Sequence, residues 1–161
     1  MISKVSRPST EPITRPFSPN NAAAIVLSVE LVSATSPEAI TAAFPTMVRR
    51  NVQAVVIALS PLFQQEVRQF VDLSAKHRLP AIAATVEFVE AGGLMSYGAS
   101  LAENFRRAAN YVDRIFKGAK PGDLPIEQPT IFDLAVNLKT ARIIGITVSQ
   151  TILVQATKVV Q

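Results

Sequence analysis

The chain has 161 residues, 48% of them apolar and only 17% charged, so it holds enough apolar side chains for one core of ordinary size and too many for a disordered protein. It contains no cysteine, which excludes disulfides, zinc fingers and thiol nucleophiles. The formal charge of +4 comes from basic residues that stand singly or in pairs such as Arg49-Arg50 and Arg106-Arg107 among acids; with ten aromatics in all, this reads as solvated surface and not as a nucleic-acid footprint.

The first twenty residues carry four prolines and no apolar stretch of signal-peptide length, so residues 1–21 are expected to form a flexible Pro-rich tail. From residue 22 the run AAAIVLSVELV predicts a buried strand. A helix should follow, with Ser36 as N-cap, Pro37 in its first position and Glu38 near the positive end of its dipole, and Pro45 is expected to kink or divide it.

NVQAVVIAL, residues 51–59, predicts a short strand buried on both faces. Residues 60–79 predict a helix capped by Ser60, with Phe63, Val67, Phe70 and Val71 on one side and Lys76, His77 and Arg78 at its negative end. Pro80 ends it, and AIAATV reads as a second buried strand running to Glu87-Phe88. Strand, helix and strand with short connections predict a βαβ unit in a parallel sheet. In such a sheet, ligands bind beyond the carboxyl ends of the strands, which directs attention to Ser36, Ser60 and Glu87-Phe88; for both serines simple capping competes with ligand contact.

Gly92-Gly93 and LMSYG lead, through one more short strand, into an amphipathic helix: Leu101, Phe105, Ala108, Val112 and Ile115 repeat at helical spacing, with Ser100 before it and Gly118 after it. A proline-rich connection of about a dozen residues follows. IFDLAVN is expected as a strand, LKTARIIG as a short helix ended by Gly145, and the remaining residues as a last helix.

Catalytic signatures are missing. His77, the single histidine, sits among cations at a helix end; there is no G-x-S-x-G elbow; and the carboxylates are scattered. GGLMSYG has neither dinucleotide-binding spacing nor a Gly-Lys-Ser/Thr ending, so it does not cradle phosphate. No catalytic residue, metal site or cofactor is expected. No apolar run approaches the ~20 residues of a membrane span.

AKHRLPAI, EFVEAGGLMSYG, RRAANYVDRIFKGAKPGDLPIEQPT and FDLAVNLKTARIIGITV occur in an order that resembles the C-terminal half of the ABC-transporter substrate-binding proteins, a group that includes tryptophan- and tyrosine-type binders. The resemblance spans roughly residues 35–155. It implies an α/β fold: a parallel-sheet, Rossmann-like lobe of a type I periplasmic binding protein at residues 22–90, then a crossing segment and part of the other lobe at residues 91–161. It also implies a solute-binding role without catalysis, for an amino acid or similar small organic anion, with an ABC permease as partner and a periplasmic location. Candidate ligand contacts are Ser60, Glu87, Phe88, Ser96 and Tyr97; Ser60-Pro61 departs from the acidic residue common there, and Gln150 from a common proline. The proline-rich start in place of a signal and a first lobe raises the expectation of a truncated product that dimerises to hide orphaned elements, and leaves a cytoplasmic location open. The alternative is a remnant of the binding fold serving as a sensor or assembly domain, or taking no ligand.

Overall fold

The structure is a computed structural model that describes residues 28–161 and the strand Ile2–Ser6. Its centre is one mixed sheet in the order β2-β1-β3-β4-β5-β6-β7: β1 (Ile2–Ser6), β2 (Ser28–Val32), β3 (Ala54–Ile57), β4 (Ala81–Ala83), β5 (Met95–Ala99), β6 (Phe132–Asn137) and β7 (Lys158–Val160). The expected parallel unit is present, because β3 pairs parallel with β4 and β4 with β5. Antiparallel pairs flank it: β1 with β2, β1 with β3, and β5 with β6. One of these strands, β1, lies within the stretch read as a tail; the remaining residues of that stretch, and the start of the strand expected from residue 22, fall outside the described residues.

Helix α1 (Pro37–Arg49) begins as expected, with the Ser36 hydroxyl accepting the Ala39 amide at 3.2 Å. It runs through Pro45 unbroken. The carbonyl that Pro45 cannot serve belongs to Thr41, which is exposed and open to water, while buried Phe44 and Met47 anchor the turns on either side. The helix expected over residues 60–79 divides at Glu66 into α2 (Pro61–Gln65) and α3 (Val67–His77). Gln69 ties α3 to α1 by donating to the Pro37 carbonyl at 2.8 Å and to the Thr41 hydroxyl at 2.7 Å.

The core lies between one face of the sheet and α1, α2 and α3. Val55, Ile57 and Ala81 meet Ile40, Phe44, Met47, Phe63 and Phe70, with Phe63 and Phe70 edge to face at 5.0 Å. β3 is not buried on both sides as expected: Val56 points to the other face and is 39% exposed.

The strand expected to reach Glu87-Phe88 stops at Ala83. Thr85 instead begins a five-residue helix, α4 (Val86–Glu90), which ends in a tight turn at Gly92, φ 109°. A Cβ at Gly93 would overlap the Phe88 ring, so the second glycine lets the chain return close over α4. Helix α5 (Leu101–Phe116) buries none of its residues. The connection after it contains one 3-10 turn at Pro121–Asp123 and leads to β6, then α6 (Leu138–Ile144), which Gly145 ends at φ 81°. The expected last helix shortens to α7 (Gln150–Gln155), and its tail becomes β7, parallel to β6.

Candidate functional site

Beyond the carboxyl ends of β3, β4 and β5 lie two adjoining hollows that share Ala84 and Thr85. The inner one, about 20 Å³, is lined by Ser60, Gln64, Phe88 and apolar neighbours. It has room for about one water molecule. The outer one, about 200 Å³, is walled by Thr85, Val86 and Glu87 from α4, Gly98 and Ala99 from the end of β5, Leu101 and Ala102 from the start of α5, and Asp133 from β6.

Backbone closeness shapes this recess. Gly98 passes so near the end of β4 that a Cβ there would overlap the Ala84 carbonyl, which draws β5 and β4 together at the mouth. Antiparallel pairing then sets Asp133 opposite Gly98.

Among the described residues, Glu87 and Asp133 are the only ionisable ones lining either hollow, and both are acids. The positive end of α5 borders the same outer hollow. Ser100 is its N-cap and makes no side-chain capping bond, and Leu101 and Ala102 at the start of the helix line the outer hollow. Thr85 likewise makes no capping bond with its hydroxyl. The outer hollow therefore combines two acidic residues with the first residues of a helix.

The sequence-derived residues fall in different surroundings. Ser60 borders the inner hollow while its hydroxyl accepts the Phe63 amide at 3.2 Å, so capping and lining coincide. Glu87 lines the outer hollow from a helix, not from the expected strand end, and Phe88 is a core side chain that closes the inner one. Ser96 sits on the core face of β5, 1% exposed, with a hydroxyl that finds no hydrogen-bond partner. Tyr97 stands on the opposite face, stacked on Phe132 at 5.6 Å. Neither Ser96 nor Tyr97 lines the hollows. Thr85 and Asp133 were not anticipated; ATVEF carries the signal for Thr85, a cap residue followed by an acid in the first turn.

His77 packs flat against Phe44 at 6.0 Å, at the end of α3. Among the described residues there is no cluster of three metal-ligating side chains, and no helix is long and apolar enough to cross a membrane.

Residues 17–160 match the family model described as ABC transporter substrate binding protein. The chain belongs to this family. Its members bind substrates for transporters, so the chain is a relative of binding proteins and not of enzymes. No curated protein matches it in sequence. Among solved structures, this ABC substrate-binding chain resembles an ABC domain in complex with L-Trp from Streptococcus pneumonia, at TM-score 0.72 and 23% identity over 81% of the chain and 45% of that structure. It also resembles a conserved domain protein from Vibrio cholerae O1 biovar El Tor, at TM-score 0.70 and 21% identity over 78% of the chain and 42% of that one. A third is the ligand-free, open structure of a substrate-binding protein with adhesive properties from Clostridium difficile, at TM-score 0.59 and 16% identity, covering 80% and 42%. The chain spans less than half the length of each. At these identities the likeness establishes the fold, an α/β arrangement of periplasmic-binding-protein type.

Proposed function

We propose that the chain is the solute-binding component of an ABC-type transport system and takes a small zwitterion, an amino acid or close analogue, in the recess at the ends of β3, β4 and β5. The observation that carries this reading is the lining of the outer hollow, which brings Glu87 and Asp133 together with the start of α5. An α-ammonium group pairs with the carboxylates, and an α-carboxylate accepts hydrogen bonds from the amides, where the dipole also favours it. A simple organic anion is disfavoured, since both charged side chains would repel it. Ser60 and Thr85 supply hydroxyls at the inner end, and Phe88 an apolar floor. As in the family of substrate-binding proteins, the ligand is held and released unchanged, for an ABC permease and outside the cytoplasmic membrane. The L-Trp bound by the pneumococcal relative favours an amino acid.

A thermal-shift and calorimetry panel of amino acids, their amides and their deaminated acids tests this. A true ligand at 100 times its Kd adds about 2.7 kcal/mol of stability. The expected ligand needs both charged ends, and Glu87→Gln or Asp133→Asn weakens it about tenfold or more. Equal binding of the deaminated acid, or a folded sample that responds to none of the panel, would sink the proposal; the second result favours the reading in which this binding fold serves as a sensor or assembly domain.

A further inference from the structure

We infer that the sheet face that the described residues leave exposed at β2, β3, β5 and the start of β6 is a homodimer interface, covered by α5 of a second copy of this chain while that copy's sheet receives α5 of the first. Strand register places Val29 and Leu31 of β2, Val56 of β3, Tyr97 of β5 and Phe132 of β6 on one face, opposite the face that packs on α1 and α3. All five are exposed, Leu31 at 62%, while Val136 at the far end of β6 on the same face is fully buried, so the exposed part stops short of that end. A sheet face built to meet water alternates toward polar residues. This one does not.

Helix α5 carries the matching half. Leu101, Phe105, Val112, Ile115 and Phe116 are exposed, Phe105 at 73% and Phe116 at 87%, in a stripe about 100° wide of the kind a helix buries. Its polar flank is already engaged by the connection that follows it. Arg107 donates to the Gln128 carbonyl at 3.0 Å and to the Thr130 hydroxyl at 2.7 Å, and Tyr111 donates to the Pro125 carbonyl at 2.5 Å. The helix is thus held by its polar side with the stripe turned outward, off its own sheet.

The dimensions agree. A sixteen-residue helix is about 24 Å long, and strands about 4.8 Å apart set the six steps of this sheet across roughly 29 Å. Ten large apolar side chains, each about half exposed, offer on the order of 1,000 Å² per copy when a whole aromatic accounts for 150–250 Å². A stable interface takes ~800 Å² per partner, which the two patches together supply. Because both patches lie on every copy, a two-fold axis satisfies both at once and leaves no open end.

The chain has no cysteine, so single cysteines report the contact without background. Leu31→Cys and Phe105→Cys proteins, mixed and oxidised, are expected to form a cross-linked pair in which each contributes one thiol. Sedimentation of the unmodified chain should give twice its 17.3 kDa mass, and Phe105→Asp with Phe116→Asp should return a folded monomer with an unchanged circular dichroism spectrum. A monomer at millimolar concentration overturns the inference. So does a dimer that survives the double aspartate variant without the cross-link, a monomeric Leu31→Cys variant whose thiol resists a reagent because residues 7–27 cover the face, or a face occupied only when a different polypeptide is added.

Discussion

On one face of the sheet Val55, Ile57 and Ala81 lie under α1, α2 and α3, while on the other Leu31, Val56 and Tyr97 remain exposed. Both faces are apolar, and β3 alone shows the contrast, since Val55 is fully buried and its neighbour Val56 is not. Apolar sequence therefore specifies that a strand will be covered without specifying by what. The covered face draws its partners from nearby sequence through short connections, so its packing belongs to the isolated chain. On the other face, none of the described residues covers Leu31, Val56 or Tyr97.

The largest expected effect is on the covered face. Phe70 is fully buried and touches both Phe44, at 6.2 Å, and Phe63. Phe70→Ala should cost about 3–5 kcal/mol, from lost burial together with the cavity left behind. Urea unfolding measures it, and a loss below about 1 kcal/mol would mean that this core is loosely packed. Next comes Gly98→Ala, where the added methyl meets the fixed Ala84 carbonyl and not a side chain that can turn aside. A cost of about 1–3 kcal/mol is expected, with weaker ligand binding, because separating β4 from β5 opens the recess. Unchanged stability with unchanged binding would show that the strand ends are not held together there.

Cap chemistry and helical period made much of this legible in the sequence. Ser36-Pro37 and Ser60-Pro61 mark helix starts where the structure has them, and Gly145 marks an end. The failures have physical causes. In AIAATVEF the β-branched residues suggest a strand, but Thr85 caps and Glu87 favours a helix start, and the local cap prevails. β7 has three residues, too few for any period to show, and is defined by pairing with β6. Of the candidate site, Ser60 and Phe88 line the inner hollow and Glu87 the adjoining outer one, because all three follow strands that end on one edge. Asp133 joins them through antiparallel pairing with β5, a long-range contact that no local pattern announces.

A smaller effect distinguishes the start of α1, at the rim of the covered face. Its Ser36 hydroxyl caps the helix and also hydrogen-bonds the Glu38 carboxylate, and this bond, with help from the backbone, holds Glu38 below its ordinary value of 4.5. A carboxyl depressed in the folded state stabilises the fold above its unfolded value and loses that contribution as pH falls through the folded one. Ser36→Ala should cost about 1 kcal/mol at neutral pH. Unfolding followed from pH 7 down to pH 3 should show the difference between the two proteins narrowing below about 4.5. A difference constant across that range would mean that only the cap, and not the carboxylate, matters.

The smallest effect on unfolding is expected on the bare face. Leu31→Asn replaces a side chain that is 62% exposed, and in dilute protein, where copies are separate, it should change stability by no more than about 0.5 kcal/mol. Under the proposed two-copy arrangement, the same substitution at high concentration should lower the unfolding temperature relative to the unmodified chain, because a state of two copies is stabilised by mass action. Concentration thus becomes the variable that separates the faces: Phe70→Ala costs the same at every dilution, and Leu31→Asn does not. Should Leu31→Asn be as harmful in dilute solution as Phe70→Ala, the second face is covered within the single chain, and the contrast between the two faces disappears.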